Sequence, residues 1–249
     1  MGPDARVDRT FQRTGVAEVE AALASGEAVS RVFVARGPAA PEVARLVARA
    51  RALGIPVESA SAGDLRRLSL GTPPAGILAL VTRDPGASPE TIFQGPGAKW
   101  LLVGAAYPGN VGAALRTMEV SGAAAAFVDA ELDGAGRRAA LRTSMNSERF
   151  MPVHWQGAEG VIALARQTHH AIVGIEDVGD RTPWEAELTA PSLFVVGGEQ
   201  RSLSPERLAA CDLVVRLPMR GFVPCYNLQA AVAAVALERL RQSDAASGA

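Results

Sequence analysis

Short, nearly unbroken apolar runs alternate with amphipathic stretches along most of this chain. VSRVFVA from Val29, GILALV from Gly76, WLLVGA from Trp100, AAAFVDA from Ala124, HAIVGIE from His170, SLFVVGGE from Ser192 and LVVRLP from Leu213 have the length and β-rich composition of buried strands. Between them, EVARLVARARALG carries apolar residues at helical spacing and stops at Gly54, and VGAALRTMEVSG stops in the same way at Gly122. IPVESA reads as a further short strand, DLRRLSL as a helical piece, and a last helix is expected from about Tyr226 to Arg241. Runs that are apolar throughout, rather than every second residue, belong to strands covered on both faces. The expected fold class is therefore α/β with a parallel sheet.

The pattern breaks once. Arg83 to Gly97, RDPGASPETIFQGPG, holds three prolines and three glycines between two apolar runs, the composition of a connection between domains. It predicts a first domain over residues 1–85, a linker over 86–97 and a second domain over 98–249.

Composition narrows the classes of function. With 249 residues, 48% of them hydrophobic, the chain can bury a sizeable core, yet no run approaches the roughly 20 apolar residues that span a bilayer. The N-terminal MGPDARVDRTFQRTG lacks the apolar stretch of a secretory signal, so a soluble, cytoplasmic protein without a membrane partner is expected. Two cysteines, Cys211 and Cys225, make no disulfide framework, and three histidines give no zinc spacing, so no metal is expected. A net charge of −1 argues against indiscriminate coating of nucleic acid and leaves room for a local basic patch; the basic residues are arginine except for Lys99.

In parallel sheets, ligands gather beyond the carboxyl ends of the strands, and three loops there carry glycines and polar groups. They are Tyr107-Pro-Gly-Asn-Val-Gly-Ala-Ala-Leu-Arg116, Gly197-Gly-Glu-Gln-Arg-Ser-Leu-Ser-Pro205 and Leu217-Pro-Met-Arg-Gly-Phe-Val-Pro-Cys-Tyr-Asn227. Gly104 and Gly109 have the spacing of a phosphate-binding P-loop, but Asn110 stands where its lysine is required, which excludes a P-loop nucleotidase. No strand leads into G-x-G-x-x-G, which excludes a glycine-turn dinucleotide site. Taken alone, Asn110 reads as a helix cap, Arg116 as a solvated arginine and Glu199 as an exposed carboxylate.

In this order, the three loops resemble the signature motifs of the SpoU/TrmH family of SPOUT RNA 2′-O-ribose methyltransferases. Pro108, Asn110, Gly112, Ala113, Arg116 and Thr117 match the first motif; Gly197, Glu199, Leu203 and Ser204 the second; Pro218, Met219, Gly221 and Asn227 the third. Tyr107, Ser202, Cys225, Tyr226 and Gln229 depart from the family pattern. Residues 15 to 82 resemble the L30e-like domain that precedes the catalytic domain in many ribosomal RNA methyltransferases.

The resemblance implies a SPOUT-type parallel sheet with a C-terminal trefoil knot, the chain after Leu217 being threaded through an earlier loop, preceded by a small α/β L30e-like RNA substrate-binding domain. It implies a homodimer and S-adenosyl-L-methionine as cofactor, contacted around Gly197, Gly198, Leu217, Met219 and Tyr226. The catalytic set it implies is Asn110, Arg116, Glu199 and Asn227, with a proton-handling or hydroxyl-activating role for Arg116; because a protonated arginine is a poor base, Arg116 is expected here to clamp a phosphate and orient the 2′-oxygen, with Asn110 and Glu199 helping to hold it. The reaction would be methylation of a ribose 2′-hydroxyl, with 23S ribosomal RNA favoured. The alternatives are a transfer RNA 2′-O-methyltransferase, or a SPOUT-fold protein that binds RNA and cofactor without methyl transfer, for which the departures speak. Cys225 has no histidine near it in any motif and reads as a small polar lining residue rather than a nucleophile.

Overall fold

A computed structural model describes residues 11–69, 76–198 and 202–247. The chain divides into two compact units between Pro85 and Gly86.

The first unit runs β1 (Gln12–Thr14), α1 (Val16–Ser25), β2 (Val29–Ala35), α2 (Pro41–Ala52), β3 (Val57–Ala60), α3 (Ala62–Leu68) and β4 (Ile77–Val81). Its sheet has the order β1-β4-β2-β3, with only β2 and β3 parallel. The helices begin and end on local chemistry. Pro41 opens α2, two arginines occupy its last turn, and Ser61 with Asp64 forms a capping box on α3. Val19, Leu23, Val32, Leu46 and Ile77 meet in one core between the helices and the sheet.

The second unit runs α4 (Pro89–Gln94), β5 (Ala98–Val103), α5 (Pro108–Val120), β6 (Ala125–Asp129), α6 (Gly134–Thr143), β7 (Val153–Trp155), α7 (Ala158–Gln167), β8 (Ala171–Ile175), β9 (Ser192–Gly197), α8 (Pro205–Ala209), β10 (Leu213–Val215) and α9 (Leu228–Ser247). All six strands are parallel, in the order β10-β8-β9-β5-β6-β7. Side chains of β5 alternate between two cores: Trp100 and Leu102 join α5 and α9 on one face, and Leu101 and Val103 join α4 and α7 on the other. Burial on both faces is why this strand reads as a continuous apolar run.

Two expectations are corrected. The segment expected to be only a linker contains α4, capped by Ser88 and opened by Pro89, with Ile92 and Phe93 buried in the second unit's core. The last helix starts at Leu228 rather than Tyr226 and continues to Ser247.

The strand order places the site. After β5 the chain moves toward β6, whereas after β9 it moves toward β10, so the topology reverses between these neighbouring strands, and the carboxyl ends of the strands there are where a ligand site is expected. Among the described residues no helix is long and apolar enough to cross a membrane.

Candidate active site

Helix α5 carries the first loop's polar residues. Pro108 occupies its opening turn, and Tyr107 stands at the capping position without a side-chain cap. Asn110 therefore lies inside the first turn and is not the cap expected from sequence. Its Oδ1 instead accepts from Asn227 Nδ2 at 3.1 Å. Asn227 Oδ1 in turn accepts from the backbone N–H of Gln229 at 2.9 Å, supplying one of the partners that the first turn of α9 lacks. One residue thus caps α9 and ties it to α5.

A second tie runs beside the first. Gln229 Nε2 donates to Thr117 Oγ1 at 3.4 Å, and the Thr117 hydroxyl donates to the Ala113 carbonyl at 3.1 Å. Gln229, a departure from the family pattern, thereby holds α9 against the helix that bears Arg116.

A cavity of about 300 Å³ opens at the carboxyl ends of β8, β9 and β10. All five residues expected to contact the cofactor, Gly197, Gly198, Leu217, Met219 and Tyr226, line it. Part of its wall is main chain by necessity: a Cβ on Gly198 would collide with the Gly104 carbonyl, because the loops after β5 and β9 abut. Tyr226 does not close the space. Its hydroxyl reaches across the third loop to donate to the Pro218 carbonyl at 2.9 Å, and Cys225 and Ser202 line the same cavity.

Arg116 is not drawn in with the others. Its side chain is exposed, lies outside the cavity lining and makes no hydrogen bond or ion pair among the described residues. Among the described residues no hydrogen bond joins Asn110 to Arg116, and the Asn110 side-chain carbonyl accepts from Asn227 instead. Glu199 lies outside the described residues.

Two carboxylates escaped the sequence reading. Glu176 and Asp177 follow the carboxyl end of β8 and line the cavity. Glu176 Oε1 accepts from the Leu203 N–H at 2.7 Å, and burial pushes its carboxyl above the ordinary range despite that bond. The signal was available, because any polar residue just past a parallel strand is a candidate. The Cys211 thiol is pushed up to about 11, chiefly by burial, and belongs to the inert class of cysteines. Among the described residues no cluster of histidine, cysteine, aspartate or glutamate is placed to hold a metal ion.

Residues 99–237 match the model of the SpoU rRNA methylase family, more than half of the chain. The chain belongs to that family. Residues 14–85 match the RNA 2′-O ribose methyltransferase substrate-binding model. Among SpoU relatives, the chain is 26% identical to the 23S rRNA (guanosine-2′-O-)-methyltransferase RlmB of Pseudomonas syringae, over 93% of this chain and 95% of that one. It is 27% identical to an uncharacterized tRNA/rRNA methyltransferase of Mycobacterium ulcerans, over 95% of this chain and 79% of that one. Among solved structures, an RNA 2′-O ribose methyltransferase aligns with a TM-score of 0.55 at 27% identity, over 94% of this chain and 88% of that one. The SpoU methyltransferase AviRb from Streptomyces viridochromogenes, in complex with AdoMet, shares the fold, with a TM-score of 0.57 at 24% identity over 94% and 90% of the two chains.

Proposed function

We propose that this chain is an S-adenosylmethionine-dependent methyltransferase that methylates a ribose 2′-hydroxyl of 23S ribosomal RNA in the cytoplasm. The observation that carries the reading is the cavity at the ends of β8, β9 and β10, set beside the Asn110–Asn227 tie in a SpoU fold. The cavity suits such a cofactor: it is small, partly walled by backbone, and lined by apolar groups with a few polar ones. When bound, S-adenosylmethionine supplies an activated methyl group for an in-line displacement.

The remaining work falls to the chain's own residues. Methylation of a hydroxyl needs alignment and loss of one proton, and neither a metal nor a covalent intermediate is required. Asn110 and Asn227 fix α5 against α9, and so set the position of Arg116 relative to the cavity wall. Arg116 remains protonated, which makes it a poor base but a good clamp for a phosphate. In this reading it grips the RNA backbone and orients the 2′-oxygen, with proton loss assisted by that phosphate or by water. Its exposure, and the lack of a hydrogen-bond or ion-pair partner among the described residues, leave the guanidinium available for that contact. Glu199 is assigned a supporting role beside it.

The proposal extends to a homodimer and to a knotted crossing of the chain after Leu217. Val120 on α5 and Leu237 on α9 are exposed apolar side chains of the kind that a second copy would cover.

Calorimetric titration with S-adenosylmethionine, followed by tritiated methyl transfer to 23S ribosomal RNA and to transfer RNA, tests the reading. Transfer to 23S RNA that disappears in Arg116→Ala supports it; transfer to transfer RNA alone reassigns the substrate. Binding without transfer to either favours the second reading, an RNA- and cofactor-binding SPOUT protein, which the departures at Ser202, Cys225, Tyr226 and Gln229 support.

A further inference from the structure

We propose that Glu176 is a specificity-determining residue that makes the cavity prefer the positively charged methyl donor over its neutral, demethylated product. The inference rests on the assignment of this cavity to the cofactor.

Glu176 is the first residue beyond β8, half-buried, and wedged between the end of β9 and the segment that leads into α8. Its Oε1 takes the Leu203 N–H at 2.7 Å, and the same oxygen lies so close to Gly197 that a Cβ there would collide with it. Those contacts fix the carboxylate in the cavity wall, beside Asp177. Among the described residues that line the cavity, Glu176 and Asp177 are the charged side chains.

S-adenosylmethionine carries a sulfonium and one net positive charge, and S-adenosylhomocysteine has a neutral thioether and no net charge. Contacts to the shared adenosine and amino-acid parts bind both alike and cannot tell them apart. A cavity this small keeps most of any occupant within about one Debye length, ~8 Å at physiological salt, of the carboxylate, where screening is weak. Burial raises the Glu176 carboxyl, and a cation beside it favours the ionised form, so binding the donor relieves a cost that binding the product does not. In function, this charge difference hastens exchange of spent product for fresh donor.

The test is calorimetric titration of the full chain with S-adenosylmethionine, S-adenosylhomocysteine and sinefungin, whose amine restores a positive charge near the position of the sulfonium. The wild type is expected to bind both cations more tightly than S-adenosylhomocysteine. Glu176→Gln keeps an acceptor for Leu203 and removes the charge, and should narrow that preference on the order of tenfold while S-adenosylhomocysteine binding changes less than about twofold. Equal losses for all three ligands would mean a structural role and overturn the proposal, as would an unchanged preference.

The wild type supplies a second readout should the variant fold poorly. Affinity for the two cations should fall as pH drops through the Glu176 range while that for S-adenosylhomocysteine stays flat; among the described residues, Asp177 and Cys211 are the other titratable groups facing Glu176. Parallel curves would overturn the proposal. Failure of the wild type to bind any of the three would instead overturn the cofactor assignment of the cavity, and this inference with it.

Discussion

Asn227 donates from Nδ2 to Asn110 Oδ1 at 3.1 Å, joining residues 117 positions apart, while its own Oδ1 accepts from the Gln229 N–H. The two partners are therefore not equivalent. Asn110→Ala removes its bond to Asn227 and leaves the cap of α9, whereas Asn227→Ala removes both that bond and the cap. Urea unfolding should find Asn227→Ala the less stable by about 1 kcal/mol. Both variants should lose methyl transfer at least about tenfold, since each frees α5 to shift against α9. Equal stabilities would deny the capping role.

Arg116 is exposed and has no hydrogen-bond or ion-pair partner among the described residues, so its replacement should leave stability within about 0.5 kcal/mol of wild type. Arg116→Ala is expected to bind S-adenosylmethionine normally and to transfer no methyl group. Arg116→Lys, which keeps the charge and loses the planar fork, should also be inactive. Activity retained in the lysine variant would show that charge alone suffices.

The backbone abutment between Gly198 and Gly104 predicts a different outcome. Gly198→Ala forces the loops after β5 and β9 apart, and cofactor affinity measured by calorimetry should drop well over tenfold. Gly112→Ala, whose Cβ would strike the Ala140 carbonyl in the packing of α5 on α6, should destabilise the fold by about 1–3 kcal/mol, with cofactor affinity preserved in the molecules that remain folded.

Lys99 is buried at the start of β5, where Nζ donates to the Gly95 carbonyl at 2.6 Å and to His170 Nε2 at 2.7 Å. Burial lowers its ammonium from the usual 10.5 to about 8. Between these values the unfolded chain holds a proton that the folded chain has lost, so the Lys99 contribution to stability rises with pH across that window. Relative to Lys99→Met, which lacks the titrating group, wild type should gain about 3 kcal/mol from pH 8 to 10.5 in urea unfolding. A constant difference would show that Lys99 titrates normally.

The sequence made the central strands legible because β5, β8 and β9 are covered on both faces and run apolar throughout. Short elements with mixed side chains were not read: β7 is only Val-His-Trp, and α6 contains adjacent Arg137 and Arg138. Around α4, the prolines and glycines have the composition of punctuation between domains, but Pro89 follows the capping Ser88 and so starts a helix. In the site, glycines and motif residues pointed to the cavity, whereas Glu176 carries no motif and is marked only by its place after β8. The partners of Asn110 and Gln229 depend on how α9 docks on α5, a tertiary fact with no local signature.

The contact of Gly198 with Gly104 also bears on how this chain has been free to diverge. Where a ligand pocket is walled by main chain, substitutions around its rim leave the wall as it was. Ser202, Cys225 and Tyr226 depart from the family pattern within the lining while Gly197 and Gly198 match or adjoin it. Evolutionary drift in such a protein would run along the rim and stop at two glycines, so that descendants differing widely in sequence would still inherit one shape of pocket.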